Sequence, residues 1–192
     1  MPLPTLQVVT CSTRPGRLGP AVASWFIDRA IADGRFTVEA VDLAAVDLPL
    51  LDEPHHPILA NYQHDHTKAW SESVSRADAF VFVMPEYNYS FTGATKNAID
   101  FLHHEWKFKP IGFVSYGGVA AGTRAVQALK LVVSAVSMMP VSESVNIPFF
   151  SKHIDAEGVF HAPEGLDASA TTMLESVARW SDALATLRAP AG

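Results

Sequence analysis

A single cysteine, Cys11, stands in 192 residues, so no disulfide can form within the chain. A chain of this length can hold its fold by apolar burial without staples. A lone thiol suits a reducing compartment, and a cytoplasmic protein is expected. Charge is sparse too: charged residues make up 18% and hydrophobic residues 48%, a globular composition with no sign of bulk disorder. Positive charge is the scarcer sign. The 14 Lys and Arg face 20 Asp and Glu, a net charge of −6. Such a surface gains little from a phosphate backbone, so nucleic acid is not an expected partner. No apolar run reaches membrane-spanning length; the richest, 129–141, contains Lys130 and Pro140. Met1-Pro2-Leu3-Pro4 carries no basic segment and does not read as a signal peptide. Internal repeats and low-complexity tracts are absent, and one domain over 1–192 is the expectation.

What is present is an alternation of strand and helix signals. Residues 6–10 form a short β-rich run. Ala21, Val22, Trp25, Phe26 and Ala30 then recur at helical spacing, with Pro20 suited to the first turn and Gly34 to the stop. Further strands are expected over 36–43, 79–84, 111–115 and 138–145, and further helices over 68–76, 94–102, 123–134 and 168–187. Residues 48–66 read as a loop rich in proline and histidine, and 147–165 as irregular. The run 79–84 is apolar without a break, as a strand covered on both faces must be. Five such units predict an α/β three-layer sandwich around a five-stranded parallel sheet. The length fits the flavodoxin-like strand order 2-1-3-4-5 better than a six-stranded dinucleotide-binding sheet. Ligands of such a sheet bind beyond the carboxyl ends of the strands, where the order reverses between strands one and three. Segments 11–20, 85–93 and 116–122 should meet there.

The first of these has the chemistry of an anion site. Ser12 and Thr13 offer hydroxyl donors, Arg14 and Arg17 offer forked cationic ones, and Gly16 and Gly19 let backbone approach closely. The helix that follows adds unpaired N–H groups and a partial positive charge. An ordinary capped turn with solvated arginines is the alternative. No GxGxxG is present, and a hydroxyl-rich loop suits a terminal monophosphate better than a dinucleotide. Cys11 to Arg17 also has the C-x5-R spacing of tyrosine phosphatases, whose cysteine is a thiolate nucleophile. Against that reading, Leu18 stands where those enzymes carry Ser or Thr, and the chain has no Asp-Pro to supply a general acid.

The second segment, Pro85-Glu86-Tyr87-Asn88-Tyr89-Ser90-Phe91-Thr92-Gly93, mixes aromatic and amide groups after a buried strand. It could grip a planar heteroaromatic ring, or its tyrosines could be packing residues around a turn-forming Asn88. With Ala94-Thr95-Lys96-Asn97-Ala98-Ile99-Asp100 it resembles the P-E-Y-N-x-S-x-P-G-x-L-K-N-A-I-D signature of the NADPH-dependent FMN reductase family, which includes chromate/quinone reductases and azoreductases. Ser12 to Arg17 is similar to that family's phosphate loop. Trp106 to Gly118 and Gly122 to Ala125 are similar to its third block.

The resemblance implies bound FMN, NADPH or NADH as donor, and a homodimer or homotetramer. It implies that Ser12, Arg14 and Arg17 hold the phosphate and that Pro85, Glu86, Tyr87 and Asn88 hold the isoalloxazine. Ser115, Gly117 and Gly118 approach the ring. The full set of cofactor-binding candidates adds Thr13, Gly19, Pro20, Ala21 and Tyr116. Three positions depart from the family pattern: Cys11 for Gly, Thr92 for Pro and Thr95 for Leu.

The expected activity is ping-pong reduction of a flavin, quinone, azo compound or similar small acceptor. The flavin would carry the chemistry, so no side chain is assigned as catalytic. A flavodoxin-type electron carrier is the alternative, although the T-x-T-G-x-T loop of that class is absent. His55-His56, His64-x-His66 and His103-His104 lack a convincing ligand set, and no metal is expected. The 55–66 loop is instead expected near the cleft rim. Val126, Leu129, Leu131, Val132, Val133 and Val136 give the fourth helix more apolar surface than one core face needs. This surplus points to a subunit interface, and the family resemblance implies that 106–109 lies near it.

Overall fold

Strand β3 (Ala79–Pro85) occupies the centre of the molecule because it offers no polar side chain, and all seven of its residues are buried. The computed structural model describes residues 2–188. In it β3 pairs with β1 (Thr5–Thr10) on one side and with β4 (Pro110–Tyr116) on the other. Strands β2 (Thr37–Asp42) and β5 (Met139–Ile147) form the edges. All pairs are parallel, and the order is β2-β1-β3-β4-β5. This is the flavodoxin-like arrangement that the alternation of elements predicts.

Helices α1 (Gly19–Asp33), α2 (Leu43–Val46), α3 (Asp65–Arg76), α4 (Gly93–Asp100), α5 (Thr123–Ala135) and α6 (Leu166–Arg188) fill the outer layers. The period-2 alternation of the strands sorts the core. Val8, Val81, Val114 and Val145 meet Val22 and Phe26 of α1 and Met173 and Val177 of α6 on one face. Val9, Phe80, Phe82 and Phe113 meet Trp70 of α3, Ile99 of α4 and Leu129 of α5 on the other. Gly112 lets α6 lie close to the sheet, since a β-carbon there would stand 2.9 Å from Met173 Sδ. Pro20 lies in the first turn of α1, and Gly34 ends that helix at φ 77°.

Three local features go beyond the sequence expectation. Helix α2 was not foreseen; Asp42 starts it by accepting a bond from Ala44 N at 3.0 Å. The proline- and histidine-rich loop is pinned by side chains. Asn97 donates to Pro49 O at 2.7 Å and accepts from Leu51 N at 2.9 Å, while Glu53 accepts from Gln63 N and His64 N at 2.8 and 3.0 Å. Trp106, expected beside a subunit contact, is buried in the chain's own core. Its ring lies 5.1 Å from Phe80, and its Nε1 donates to Ile99 O at 3.1 Å. The same core takes Val126, Leu129 and Val133 of α5 and packs against Val132 and Val136, which leaves Leu131 as the large apolar residue of that helix that is mostly exposed.

Trp106→Ala removes a buried aromatic and an indole hydrogen bond together, so it should cost about 3–5 kcal/mol in urea unfolding. A loss under about 1 kcal/mol would place Trp106 outside the core.

Candidate functional site

Beyond the carboxyl ends of the strands, four loops enclose a cavity of about 340 Å³. Its walls are Ser12, Arg14, Arg17 and Leu18 after β1; Pro85, Glu86 and Tyr87 after β3; Tyr116, Gly117 and Gly118 after β4; and Phe149, Phe150 and Ser151 after β5. Backbone bonds stitch neighbouring loops together. Cys11 N reaches Val83 O at 3.0 Å, Glu86 N reaches Tyr116 O at 3.3 Å, and Phe149 N reaches Gly118 O at 3.2 Å. A hollow of about 440 Å³ at the opposite end of the sheet is a weaker candidate. Two of the cations that line it are engaged within the chain, Lys109 on Val74 O and Ser75 O and Arg188 on Asp78 and Phe108 O.

The polar wall is built around Gly19. A β-carbon at that position would collide with both Ser12 Oγ and Tyr116 Oη. These two hydroxyls are buried side by side, and among the described residues neither makes a hydrogen bond of good geometry to the other or to any further group. An orphaned buried hydroxyl costs about 1–3 kcal/mol, so the pair is unsatisfied until something accepts from it. Helix α1 starts at the same place, and Leu18 supplies no side-chain cap. Burial pushes the Tyr116 hydroxyl far above its ordinary pKa, which keeps it a neutral donor. Arg14 is exposed, and among the described residues its guanidinium donates to Pro15 O at 3.3 Å and to no other group. Arg17 is held in place: its two terminal nitrogens grip Asp42 at 2.8 and 2.6 Å, and one of them also donates to Ser12 O. Arg17 therefore braces the loop against the end of β2 as well as lining the cavity.

The apolar wall comes from Leu18, Pro85, Tyr87, Phe149 and Phe150. The Phe150 ring packs 4.6 Å from that of Tyr116. Phe149 and Phe150 were not singled out in the sequence. The signal was available, because two aromatics directly follow the fifth strand, at the same edge of the sheet as the other three loops. Glu86 lines the cavity, but both its oxygens are taken by Arg124 at the start of α5.

Not every candidate faces the cavity. Thr13 lines a separate crevice of about 280 Å³ with Leu43, Ala94 and Asn97. Gly19, Pro20 and Ala21 form the first turn of α1, with the Gly19 backbone against the two hydroxyls. Asn88 is exposed in a turn, at φ 48°. Ser115 points inward, its hydroxyl 2.8 Å from Ala121 O and 2.9 Å from Asn146 Oδ1. The 55–66 loop contributes nothing to the cavity wall, contrary to its expected place at the rim. His56 caps its own turn through Ile58 N, His66 meets Asp52 at 3.0 Å, and His104 meets Ile58 O at 2.7 Å. Among the described residues no three His, Cys, Asp or Glu side chains converge as a metal set.

The three positions that depart from the family signature meet in one buried cluster. Thr92 Oγ1 donates to Cys11 O at 3.0 Å, lies 2.8 Å from Thr95 Oγ1 and accepts from Thr95 N at 3.1 Å. Thr92 thus caps α4 and ties the loop after β3 to the loop after β1. The Cys11 side chain lies in this cluster, on the face of the sheet opposite α1. Burial pushes its thiol up to about 12. A fully buried thiol that burial keeps neutral and that donates to Val9 O is not disposed as the phosphatase nucleophile.

Residues 4–152 match the NADPH-dependent FMN reductase family. An NAD(P)H-dependent FMN reductase of Schizosaccharomyces pombe is 40% identical over 149 residues, covering 76% of this chain and 74% of that protein. One of Saccharomyces cerevisiae is 34% identical over 154 residues, covering 73% and 80%. Among solved structures, the flavoenzyme NAD(P)H:(acceptor) oxidoreductase FerB of Paracoccus denitrificans shares the fold. Its TM-score is 0.73 at 22% identity, with 94% of this chain and 98% of that one covered.

At pH 8 the native protein should resist alkylation by iodoacetamide at Cys11 and react fully once unfolded, as mass spectrometry can follow. Rapid labelling of the folded protein would contradict the placement of this thiol.

Proposed function

The chain belongs to the NADPH-dependent FMN reductase family, and from that membership we propose that its four-loop cavity holds FMN and serves the reduction of a flavin, quinone, azo compound or similar small acceptor by NADPH or NADH. The protein is an NAD(P)H-dependent oxidoreductase. The observation that carries the reading of the cavity is the pair of unpartnered hydroxyls at the start of α1. Phosphate oxygens would accept from Ser12 Oγ and Tyr116 Oη, next to an uncapped helix N-terminus that favours anions. Arg14 would add a charged bond from the solvent side. Pro85, Tyr87, Phe149 and Phe150 would shield a planar ring from water. The residues present therefore fit FMN.

Bound FMN supplies the chemistry, a ring that accepts hydride and returns electrons. The chain binds, orients and excludes solvent. Glu86 is occupied by Arg124 and Cys11 faces away, so neither is assigned a proton-transfer role. Donor and acceptor would use the same cavity, which supports a ping-pong order in which the oxidised nicotinamide leaves before the acceptor enters.

Two further features complete the proposal. The rim leaves Tyr89, Val119 and Phe149 exposed, and covering them by a second copy supports a homodimer or homotetramer. Sedimentation as a stable monomer with full activity would contradict it. A single buried thiol suits the reducing cytoplasm, and among the described residues no helix is long and apolar enough to cross a membrane. The whole chain is proposed to act as one FMN-binding domain.

Added quinone should sustain continuous NADPH oxidation by the FMN-loaded protein, whereas an electron carrier that takes no hydride from a nicotinamide would leave NADPH unoxidised. Arg14→Ala should weaken FMN by about 1.5–3 kcal/mol, roughly tenfold or more, and leave riboflavin unchanged, since riboflavin lacks the phosphate. Equal loss for both ligands would remove Arg14 from the phosphate site.

A further inference from the structure

We propose that Arg124 is a positioning residue for the flavin-ring wall: through Glu86 and Tyr89 it clasps the loop after β3 to the start of α5 and cancels the one carboxylate in that wall. The inference rests on the reading of the cavity as an FMN site. It begins with a helix that cannot cap itself. Helix α5 follows Gly122, at φ 81°, which has no side chain to offer the first turn. Glu86 fills that place from another loop, accepting from Arg124 N at 3.2 Å. Its second oxygen accepts from Arg124 Nε at 2.6 Å and from the adjacent terminal nitrogen. One residue therefore satisfies both oxygens of a carboxylate whose side chain is only 7% exposed. A buried carboxylate without a cation would be costly, so the pairing explains how Glu86 can lie in a cavity wall at all.

The same guanidinium lies over the ring of Tyr89, 3.8 Å from its centroid. Tyr89 needs such a hold. The turn between Tyr87 and Ser90 is closed by two backbone bonds of 2.9 and 3.0 Å, with Asn88 at φ 48° and Tyr89 at φ 69°. Both central residues are thus in the left-handed region, which Asn tolerates and a bulky residue does not. Tyr89 is 69% exposed, so core burial does not hold it there. Stacking on Arg124 adds a side-chain hold to the two backbone bonds. Tyr87, the first residue of this turn, lines the cavity. Helix α5 thereby fixes where Tyr87 and Glu86 stand, although Arg124 is not itself among the lining residues.

The electrostatic consequence is specific. With Arg124 present, the wall carries no net charge from this pair. Without it, Glu86 would be a lone negative charge beside a ring that must accept electrons, which makes reduction harder. A purely structural clasp would not change the potential in that direction.

The test uses the FMN-loaded protein and three variants: Arg124→Lys, Arg124→Ala, and Arg124→Ala combined with Glu86→Gln. The flavin midpoint potential is read by spectroscopic redox titration, the FMN dissociation constant by fluorescence, and the fold by thermal unfolding. Arg124→Ala should move the potential to more negative values and weaken FMN at least tenfold. Adding Glu86→Gln should return the potential to that of the parent. Arg124→Lys, which keeps the charge and loses the fork, should keep the potential and weaken FMN less than Arg124→Ala. A folded Arg124→Ala protein with parental potential and affinity overturns the proposal, as does a combined variant whose potential stays as negative as that of Arg124→Ala. A parent protein that binds no FMN overturns the reading of the cavity itself, and this assignment with it.

Discussion

Pairing of β1 with β3 is the interaction on which the site depends. The two strands run side by side through Leu6–Ala79 to Thr10–Val83, and Cys11 N continues the ladder onto Val83 O. The helices that follow them part company, α1 packing on the face of Val8 and Val81 and α4 on the face of Val9 and Phe82. Loops that leave a sheet edge in opposite directions cannot fill the space between them. The crevice is therefore a product of topology. The unsatisfied start of α1 opens on it, and so do Ser12 and Tyr116. Their cost is borne by the rest of the fold, in particular by the fully buried β3.

Charge around the crevice is handled by pairing. Arg17 is locked to Asp42, and Glu86 to Arg124. Arg14 is then, among the described cavity residues, the cation with no carboxylate partner. A chain of net charge −6 thus presents one local cation at the place where an anionic ligand would meet a helix N-terminus. The neighbouring apolar wall selects a ligand that is anionic at one group and planar and aromatic at another. That combination describes a flavin mononucleotide better than a free phosphate or a neutral quinone.

Much of this was legible in the sequence. The unbroken apolar run of β3, Pro20 and Gly34 around α1, and the three glycine- and hydroxyl-rich loops announce sheet, helix and crevice. What escaped depends on long-range contacts. Arg14 and Arg17 look alike in sequence, and only the fold reveals that Asp42, 25 residues on, engages one of them. Phe149 joins the wall through a backbone bond to Gly118, a partner that no local pattern marks. Val126 and Val133 of α5 look like surplus apolar surface until the sheet face and its neighbours claim them. Thr92, Thr95 and Cys11 read as three separate departures from a signature, yet they form one hydrogen-bonded cluster. Periodicity reports which face a residue takes; it does not report which distant partner meets it there.

The central claim is that the crevice between the loops of β1 and β3 is an FMN site. Its most direct test is the crystal structure of the protein grown with FMN. Phosphate oxygens are expected within hydrogen-bond distance of Ser12 Oγ and Tyr116 Oη at the start of α1, with the flavin ring against Tyr87. A flavin bound elsewhere, or a crevice whose two hydroxyls stay unpartnered while FMN is present at saturating concentration, would contradict it.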